Sequence, residues 1–343
     1  MGNGAALMKM LVTGGGGFLG KAIIKQLLAQ GHSARSLCRG AYPELESMGV
    51  EVFRGDLADP KTVLDATEGC DRIYHVAARA GVWGSYNDFY QPNVVGTENI
   101  LAACATHGIS KLIYTSTPSV IHAGKDVEGA DESVPYPDHF DTHYPATKAL
   151  AEKMILAANG SALQTISLRP HLIWGPEDNH LVPRIVDRGR CGKLKLVGGG
   201  HKLIDAVYID NAAEAHILAG DRLGPNAPCA GKSYFITQGD PMPSRDLING
   251  ILAAAGLSPV TKSIHPNVAY GVGAILEGVY SLFGVKTEPL MTRFVARQLA
   301  TAHWYDITAA RRDIGYNPSV CTAEGFQRLS AWFKEKAPQN VRN

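Results

Sequence analysis

No CxxC and no HExxH spacing occurs in the 343 residues, and the six cysteines (Cys38, Cys70, Cys104, Cys191, Cys229 and Cys321) lie far apart. A zinc ribbon, a redox dithiol and a zinc-protease helix are thereby excluded, and none of the twelve histidines carries a metal expectation. Scattered cysteines point to reduced thiols in a cytoplasmic setting. Charge of either sign is not in excess: 33 basic against 32 acidic residues leave a net +1, which gives no reason to expect nucleic acid or an acidic membrane as partner. No apolar run reaches the roughly 20 residues a bilayer span needs; the most apolar stretch, 265–283, is interrupted by Glu277 and several glycines, so no transmembrane segment is expected. Met1–Ala6 lacks the charged and apolar regions of a signal peptide, and Ala6 breaks the N-acylation pattern. Ser116, His122 and Asp126 superficially offer a triad, yet no GxSxG elbow accompanies them. Internal repeats and low-complexity segments are absent too.

What the chain does have is glycine where it counts. Residues 8–13 read as a short buried strand, four glycines follow at 14–17, and Phe18 to Gln30 carry helical periodicity through Leu19, Ile23, Ile24, Leu27 and Leu28. Gly14, Gly17 and Gly20 stand at GxxGxxG spacing between strand and helix, so bare backbone can approach a diphosphate at the helix N-terminus. Gly31 ends the helix.

Further strands are expected at 33–38, 50–53, 71–78 and 111–116, with a helix over 93–107 closed by Gly108. This alternation predicts a Rossmann-type, doubly wound parallel sheet. The second strand ends in Cys38-Arg39 with no carboxylate until Glu44. An acid there would hold ribose hydroxyls and repel a 2′-phosphate, so its absence beside Arg39 favours NADP(H); the competing reading makes Arg39 a solvated loop cation. Asp56 either faces the adenine edge or caps the next helix. The segment 79–90, with Arg79, Trp83, Tyr86, Phe89 and Tyr90, is rich in aromatics for a loop. It reads as a substrate wall or as a loop tucked down by its rings. His75 reads as a satisfied strand residue. Tyr144 and Lys148, four apart on a helix that Pro145 is suited to open, present a phenol and an ammonium to one site.

Taken together, the glycine turn, Asp56-Leu57, His75-Val-Ala77-Ala78, Asn93-Val-Val-Gly-Thr97, Thr115-Ser116-Thr117, Tyr144-x-x-x-Lys148 and Leu168-Arg-Pro170 with Gly175-Pro176 resemble the extended short-chain dehydrogenase/reductases. Within them, Tyr144-Pro-Ala-Thr-Lys148 and the apolar run near 266–284 resemble the 3β-hydroxysteroid and sterol-4α-carboxylate dehydrogenase branch. Trp83-Gly-Ser-Tyr86, Gly175-Pro-x-Asp-Asn-His180, Thr292-Arg-Phe294 and His303-Trp-Tyr305 are most similar to the 2-alkyl-3-oxoalkanoate reductases of bacterial long-chain olefin biosynthesis.

The resemblance implies Tyr144 as general acid/base, Lys148 as holder of the nicotinamide ribose and Thr117 as the hydroxyl on the substrate oxygen, with Ser116 its neighbouring competitor. With these, the expected cofactor set is Gly14, Gly17, Phe18, Leu19, Gly20, Arg39, Asp56, Leu57 and Ala77, and the expected substrate set is Arg79, Trp83 and Tyr86, Arg79 reading either as a partner for a substrate carboxylate or as a solvated loop arginine. The resemblance implies a dinucleotide domain over 7–177 with returning segments 205–218 and 232–237. A smaller, mostly helical substrate lid then takes 178–204 and 239–343. The expected reaction is NADPH-dependent reduction of the 3-oxo group of a 2-alkyl-3-oxoalkanoic acid, a lipid-like small molecule, by a homodimer that pairs helices near 93–107 and 144–159. Other olefin-pathway enzymes are implied as partners. Competing readings are a 3β-hydroxysteroid or sterol-4α-carboxylate dehydrogenase, a nucleotide-sugar epimerase and a silent NADP(H) sensor. The run 265–283 is expected to line an apolar pocket or to touch a partner or a membrane surface, with plain core packing as the alternative.

Overall fold

The computed structural model describes residues 7–122 and 124–336; Met1–Ala6, the end of the lid at 337–343 and Ala123 lie outside the described residues. Strands and helices alternate through the first half: β1 (Lys9–Thr13), α1 (Phe18–Ala29), β2 (Ser33–Cys38), α2 (Pro43–Ser47), β3 (Glu51–Arg54), α3 (Pro60–Thr67), β4 (Arg72–His75), α4 (Tyr86–Tyr90), α5 (Gly96–His107) and β5 (Lys111–Thr115). Then come β6 (Val127–Ala130), α6 (His143–Ala157), β7 (Gln164–Pro170), β8 (Ile173–Trp174), α7 (Leu181–Arg190), β9 (Leu196–Val197), β10 (Leu203–Ile204), β11 (Val207–Tyr208) and α8 (Ile209–Arg222). The rest comprises β12 (Lys232–Ile236), β13 (Met242–Pro243), α9 (Ser244–Ala254), β14 (Ser263–Ile264), α10 (Pro266–Leu282), α11 (Arg293–Ala300), β15 (His303–Tyr305), α12 (Thr308–Ile314) and α13 (Thr322–Lys336).

Seven of the strands form one parallel sheet in the order β12-β7-β5-β4-β1-β2-β3. The side chains of β1 show how it is covered. Met10 and Val12 join a core with Ile23, Ile24 and Leu27 of α1 and Ala212 and Ala215 of α8. Leu11, between them, joins the opposite core with Val63 of α3, Ile100 and Cys104 of α5 and Ile155 of α6. Alternate residues are thus buried on opposite faces, as a doubly wound sheet requires. Strand order reverses between β1 and β4, which opens a crevice at their C-terminal ends, the place where such sheets take ligands.

Two expected elements are shorter than the pattern predicts, the fourth strand at its end and the helix over 93–107 at its start. The fourth strand stops at His75 rather than running to Ala78, because the amides of Val76 and Ala77 donate to Thr13 Oγ1 at 3.0 and 3.1 Å. The helix expected from Asn93 is α-helical only from Gly96; Gln91–Val95 form a wide π turn. Pro92 contributes no amide there, and Asn93 turns its side chain to other elements. Pro145 is the third residue of α6, still within the first turn, where its missing N–H costs nothing.

After β7 the chain interleaves. β8 pairs with β11, α8 packs beside α1, and β12 closes the sheet against β7. β6, β10, β13 and β15 form a separate four-stranded sheet that joins residues 127–130 to the C-terminal region. α10 packs against α11, and no helix among the described residues is long and apolar enough to cross a membrane. Its orientation corrects one expectation. α10 does wall a cavity, but with Tyr270, Glu277, Tyr280 and Ser281, whereas its valines and Ile275 face outward. The 3.6-residue turn puts residues such as 270 and 277 opposite 268, 272 and 275. Cys38, Cys70, Cys104 and Cys229 are buried; Cys191 and Cys321 are exposed.

Candidate active site

The glycine turn is the tightest part of the site. Gly14 has φ of +70°, and a Cβ on it would sit 2.9 Å from Ala77 Cα. A Cβ on Gly20 would land on the Gly14 carbonyl oxygen, so α1 can reach the end of β1 only where neither position carries a side chain. No side chain caps α1 and no acid lies in its first turn, which leaves its leading amides for an anion. From this turn a cleft of about 550 Å³ runs past Phe18, Leu19, Arg39, Asp56, Leu57 and Ala77 to Ser116, Thr117, Tyr144 and Lys148. Arg39 is exposed at its rim. The alternative for Asp56 is narrowed as well: Asp59, not Asp56, caps α3, accepting from Lys61 N at 3.1 Å. Asp56 spends one oxygen on the Ala58 amide at 3.0 Å and lines the cleft. The bare turn, the uncapped helix and the cleft's length fit a dinucleotide.

At the far end, α6 presents Tyr144, Lys148 and Glu152 on one face. Lys148 is buried; its Nζ donates to Thr115 O at 2.6 Å and lies 4.1 Å from the centre of the Tyr114 ring. Burial pulls the ammonium down to about 7, against the opposing pull of Glu152. Burial pushes the Tyr144 phenol up to about 12, only partly offset by the neighbouring Thr117 hydroxyl. A phenol in that state keeps its proton at neutral pH. Thr117 also accepts from Ser119 N at 3.2 Å, which fixes its rotamer. Of the three hydroxyls in a row, Thr115 is taken up by His216 Nε2 at 2.9 Å, and the buried Ser116 Oγ has no partner. Thr117 lines the cleft together with Tyr144, and its hydroxyl works against the rise of the phenol.

Glu152, fully buried, was not singled out in the sequence. It forms an ion pair with Arg169 and accepts from Tyr136 Oη at 2.6 Å and Ser167 Oγ at 2.9 Å. Burial opposes its ionisation, yet the Arg169 guanidinium holds the carboxyl below its usual range. Asn93 is the second omission. Its Oδ1 accepts from the Arg79 amide at 2.8 Å, and its Nδ2 donates to Arg79 O and to Thr147 Oγ1. His75 is satisfied by Thr13 at 2.8 Å and Thr97 at 3.1 Å, and burial drops its imidazole to about 3. The helical spacing of Glu152 from Lys148, and the Asn-x-x-Gly-Thr string, were the available signals.

Arg79 lines both the cleft and a second cavity of about 940 Å³, with its guanidinium over the Phe89 ring at 5.2 Å and a buried Nε without a partner. Trp83 lines the second cavity, donating from Nε1 to Val285 O at 2.9 Å. Tyr86 lines neither; it is exposed and its ring sits 5.4 Å from Tyr90 and 5.6 Å from His143. The apparent hydrolytic triad is not assembled, since Asp126 is engaged by Lys202 and the Ala302 amide. Among the described residues no cluster could hold a metal ion.

Residues 11–264 match the 3-beta hydroxysteroid dehydrogenase/isomerase family. The chain belongs to that family. As a member it is an oxidoreductase of the short-chain dehydrogenase/reductase kind. It is 54% identical to the 2-alkyl-3-oxoalkanoate reductase of Stenotrophomonas maltophilia, covering 94% of this chain and 99% of that protein. It is 50% identical to the protein of the same name from Shewanella oneidensis, covering 95% and 87%. The solved UDP-glucose 4-epimerase of Thermus thermophilus, a complex with NAD, is 26% identical with a TM-score of 0.73 over 96% of this chain and all of that one. The family match stops just before α10, so the outer wall of the second cavity belongs to the part of this family member that the match does not reach.

Proposed function

We propose that this chain reduces the 3-oxo group of a 2-alkyl-3-oxoalkanoic acid to the hydroxyl with NADPH. The observation that carries the substrate is the name shared by two relatives at half identity or better over nearly the whole chain. When bound, the reduced nicotinamide supplies the hydride. The residues do the rest. Tyr144, protonated at neutral pH, gives its proton to the carbonyl oxygen as alkoxide charge develops there. Thr117 donates to the same oxygen and orients the phenol. Lys148 carries positive charge near the phenol, easing its loss of the proton, and offers its remaining N–H groups to ribose. Arg79, poised between the two cavities with an unpartnered Nε, takes the carboxylate. Trp83 walls the space for an alkyl chain.

The preference for NADPH over NADH rests on Arg39 at the end of β2 and the lack of an acid there. The test is a panel of β-keto acids and ketosteroids offered with NADPH and with NADH, followed by absorbance loss. Turnover of ketosteroids alone would overturn the substrate, and equal use of NADH the cofactor. Tyr144→Phe separates an enzyme from a silent sensor: turnover falls about a hundredfold or more while NADPH binding persists. We also assign a homodimer through α5 and α6, where Leu150 stands exposed; a monomer mass by light scattering would reject it. Association with other olefin-pathway enzymes belongs to the same reading.

A further inference from the structure

We propose that Leu172 selects the acyl chain on C3 of the substrate, on the side of the reacting carbonyl that faces away from the carboxylate; this rests on the substrate reading above. Among the described residues, three other than glycine have positive φ: Leu172, Glu177 and Asn226. Asparagine is at home in that conformation. Glu177 lies outside the cleft, where it bridges Lys21 and Lys25 of α1. Leu172, at φ of +42°, is the one of the three that lines the cleft. An aliphatic side chain is disfavoured there, whereas glycine would take the same backbone without steric cost. The strain is held from both sides. His171 gives its amide to Ile236 O at 3.1 Å and packs its ring against His303 at 5.0 Å and Tyr305 at 5.3 Å. Leu172 O itself accepts from the Val207 amide at 3.4 Å, where β8 joins β11. An outlier so firmly pinned, with its side chain in the cleft, points to function.

Strand order says which part of the substrate Leu172 meets. β5, which leads into Ser116 and Thr117, lies between β4 and β7 in the sheet. Arg79 follows the end of β4 and Leu172 follows the end of β7, so the two leave the sheet on opposite sides of the Thr117 hydroxyl. With the carboxylate on Arg79, C2 and its alkyl branch lie on the β4 side, toward Trp83. The acyl chain, attached across the carbonyl carbon from C2, is left to the β7 side. There Leu172, Ile173 and Leu181 give the cleft an aliphatic wall. Leu172 is the first of the three to leave the sheet, two residues beyond Pro170, and so stands against the carbons next to C3. Glycine at this position would relieve the backbone and open that wall. Leucine keeps the wall at the expense of the backbone.

The test varies the two chains of the substrate independently. The full chain with NADPH is offered 2-alkyl-3-oxo acids in which either the acyl chain or the 2-alkyl branch is shortened to a methyl group. Leu172→Asn keeps the branched shape and tolerates positive φ, so the protein folds while the apolar wall is lost. Leu172→Gly removes side chain and strain together. Both should lower kcat/KM for the long acyl chain by about tenfold, mainly through KM, and by much less for the acyl-methyl substrate. Shortening the 2-alkyl branch should leave the ratio of variant to parent where it was. Leu172→Ala loses the side chain but keeps a Cβ, so it should unfold at a lower temperature than Leu172→Gly, the reverse of the usual order of these two residues. A loss equal for long and short acyl chains, a loss that follows the 2-alkyl branch instead, or an alanine variant that outlasts the glycine one would overturn the assignment. Failure of the substrate reading shows itself separately, as an unsubstituted chain that reduces no β-keto acid, and takes the assignment with it; a flat ratio with an active parent sinks the assignment alone.

Discussion

Replacing Glu152 by Gln tests two links at once, stability and chemistry. The carboxylate is buried one turn beyond Lys148 and is held by Arg169, Tyr136 and Ser167. Gln keeps the shape and one carbonyl oxygen but removes the charge, leaving the buried Arg169 guanidinium without its counterion. Its Nη1 already lacks a partner, so nothing nearby can take over. Breaking a buried pair from one side costs about 3–5 kcal/mol, and urea unfolding should show a loss of that size. The second link is electrostatic. Burial sets the Lys148 ammonium to about 7 while Glu152 pulls the other way, so Glu152→Gln drives it lower still. If the reaction uses the protonated amine, activity falls as pH rises through that value, and in the variant this fall begins at lower pH. Glu152→Asp should recover part of both effects. A variant that lost under about 1 kcal/mol and kept its alkaline limb in place would refute the reasoning.

Arg79→Ala should cut kcat/KM for a β-keto acid by about 30-fold, the value of a hydrogen bond to a charged group, and leave a ketone lacking the carboxyl unaffected. Equal losses for both ligands would make Arg79 merely a wall. Gly20→Ala pushes a methyl group onto the Gly14 carbonyl, so NADPH binding measured by calorimetry should weaken by about tenfold or more. Acid should destabilise the fold through buried imidazoles: burial lowers His75 to about 3 and His122 and His216 to about 4, from an ordinary 6.5. The unfolded chain then binds protons first, so stability declines as pH drops from 6.5 toward 4, by up to roughly 3 kcal/mol per histidine. Asp205, raised by burial to about 6, works in the opposite sense below that pH and offsets only part. Unfolding curves that coincide at pH 6.5 and 4 would contradict this.

The sheet, its helices and the line from Gly14 to Lys148 were legible because each rests on local pattern: glycine spacing, an apolar core strand, a four-residue helical step. Where the reading fell short, contacts distant in sequence decided. Thr13 took the amides of Val76 and Ala77, which no strand propensity announces. Asn93 and Glu152 gained meaning only once Arg79, Thr147 and Arg169 stood beside them. The run 265–283 showed its apolar content but not its direction; hydropathy along a helix is blind to which neighbour turns a face inward, and here α11 decides. Tyr86 has the ring of a substrate wall and lies on the outside of the loop.

The interleaving of the chain limits how this enzyme can be divided. A fragment ending near residue 177 would strand the edge of β7 without β12 and uncover the face of α1 that α8 shields. An unpaired edge beside a bared apolar helix invites aggregation. Attempts to express the nucleotide-binding half alone should therefore yield insoluble material. Any graft of its substrate-recognising loops onto another scaffold must carry both returning segments with them.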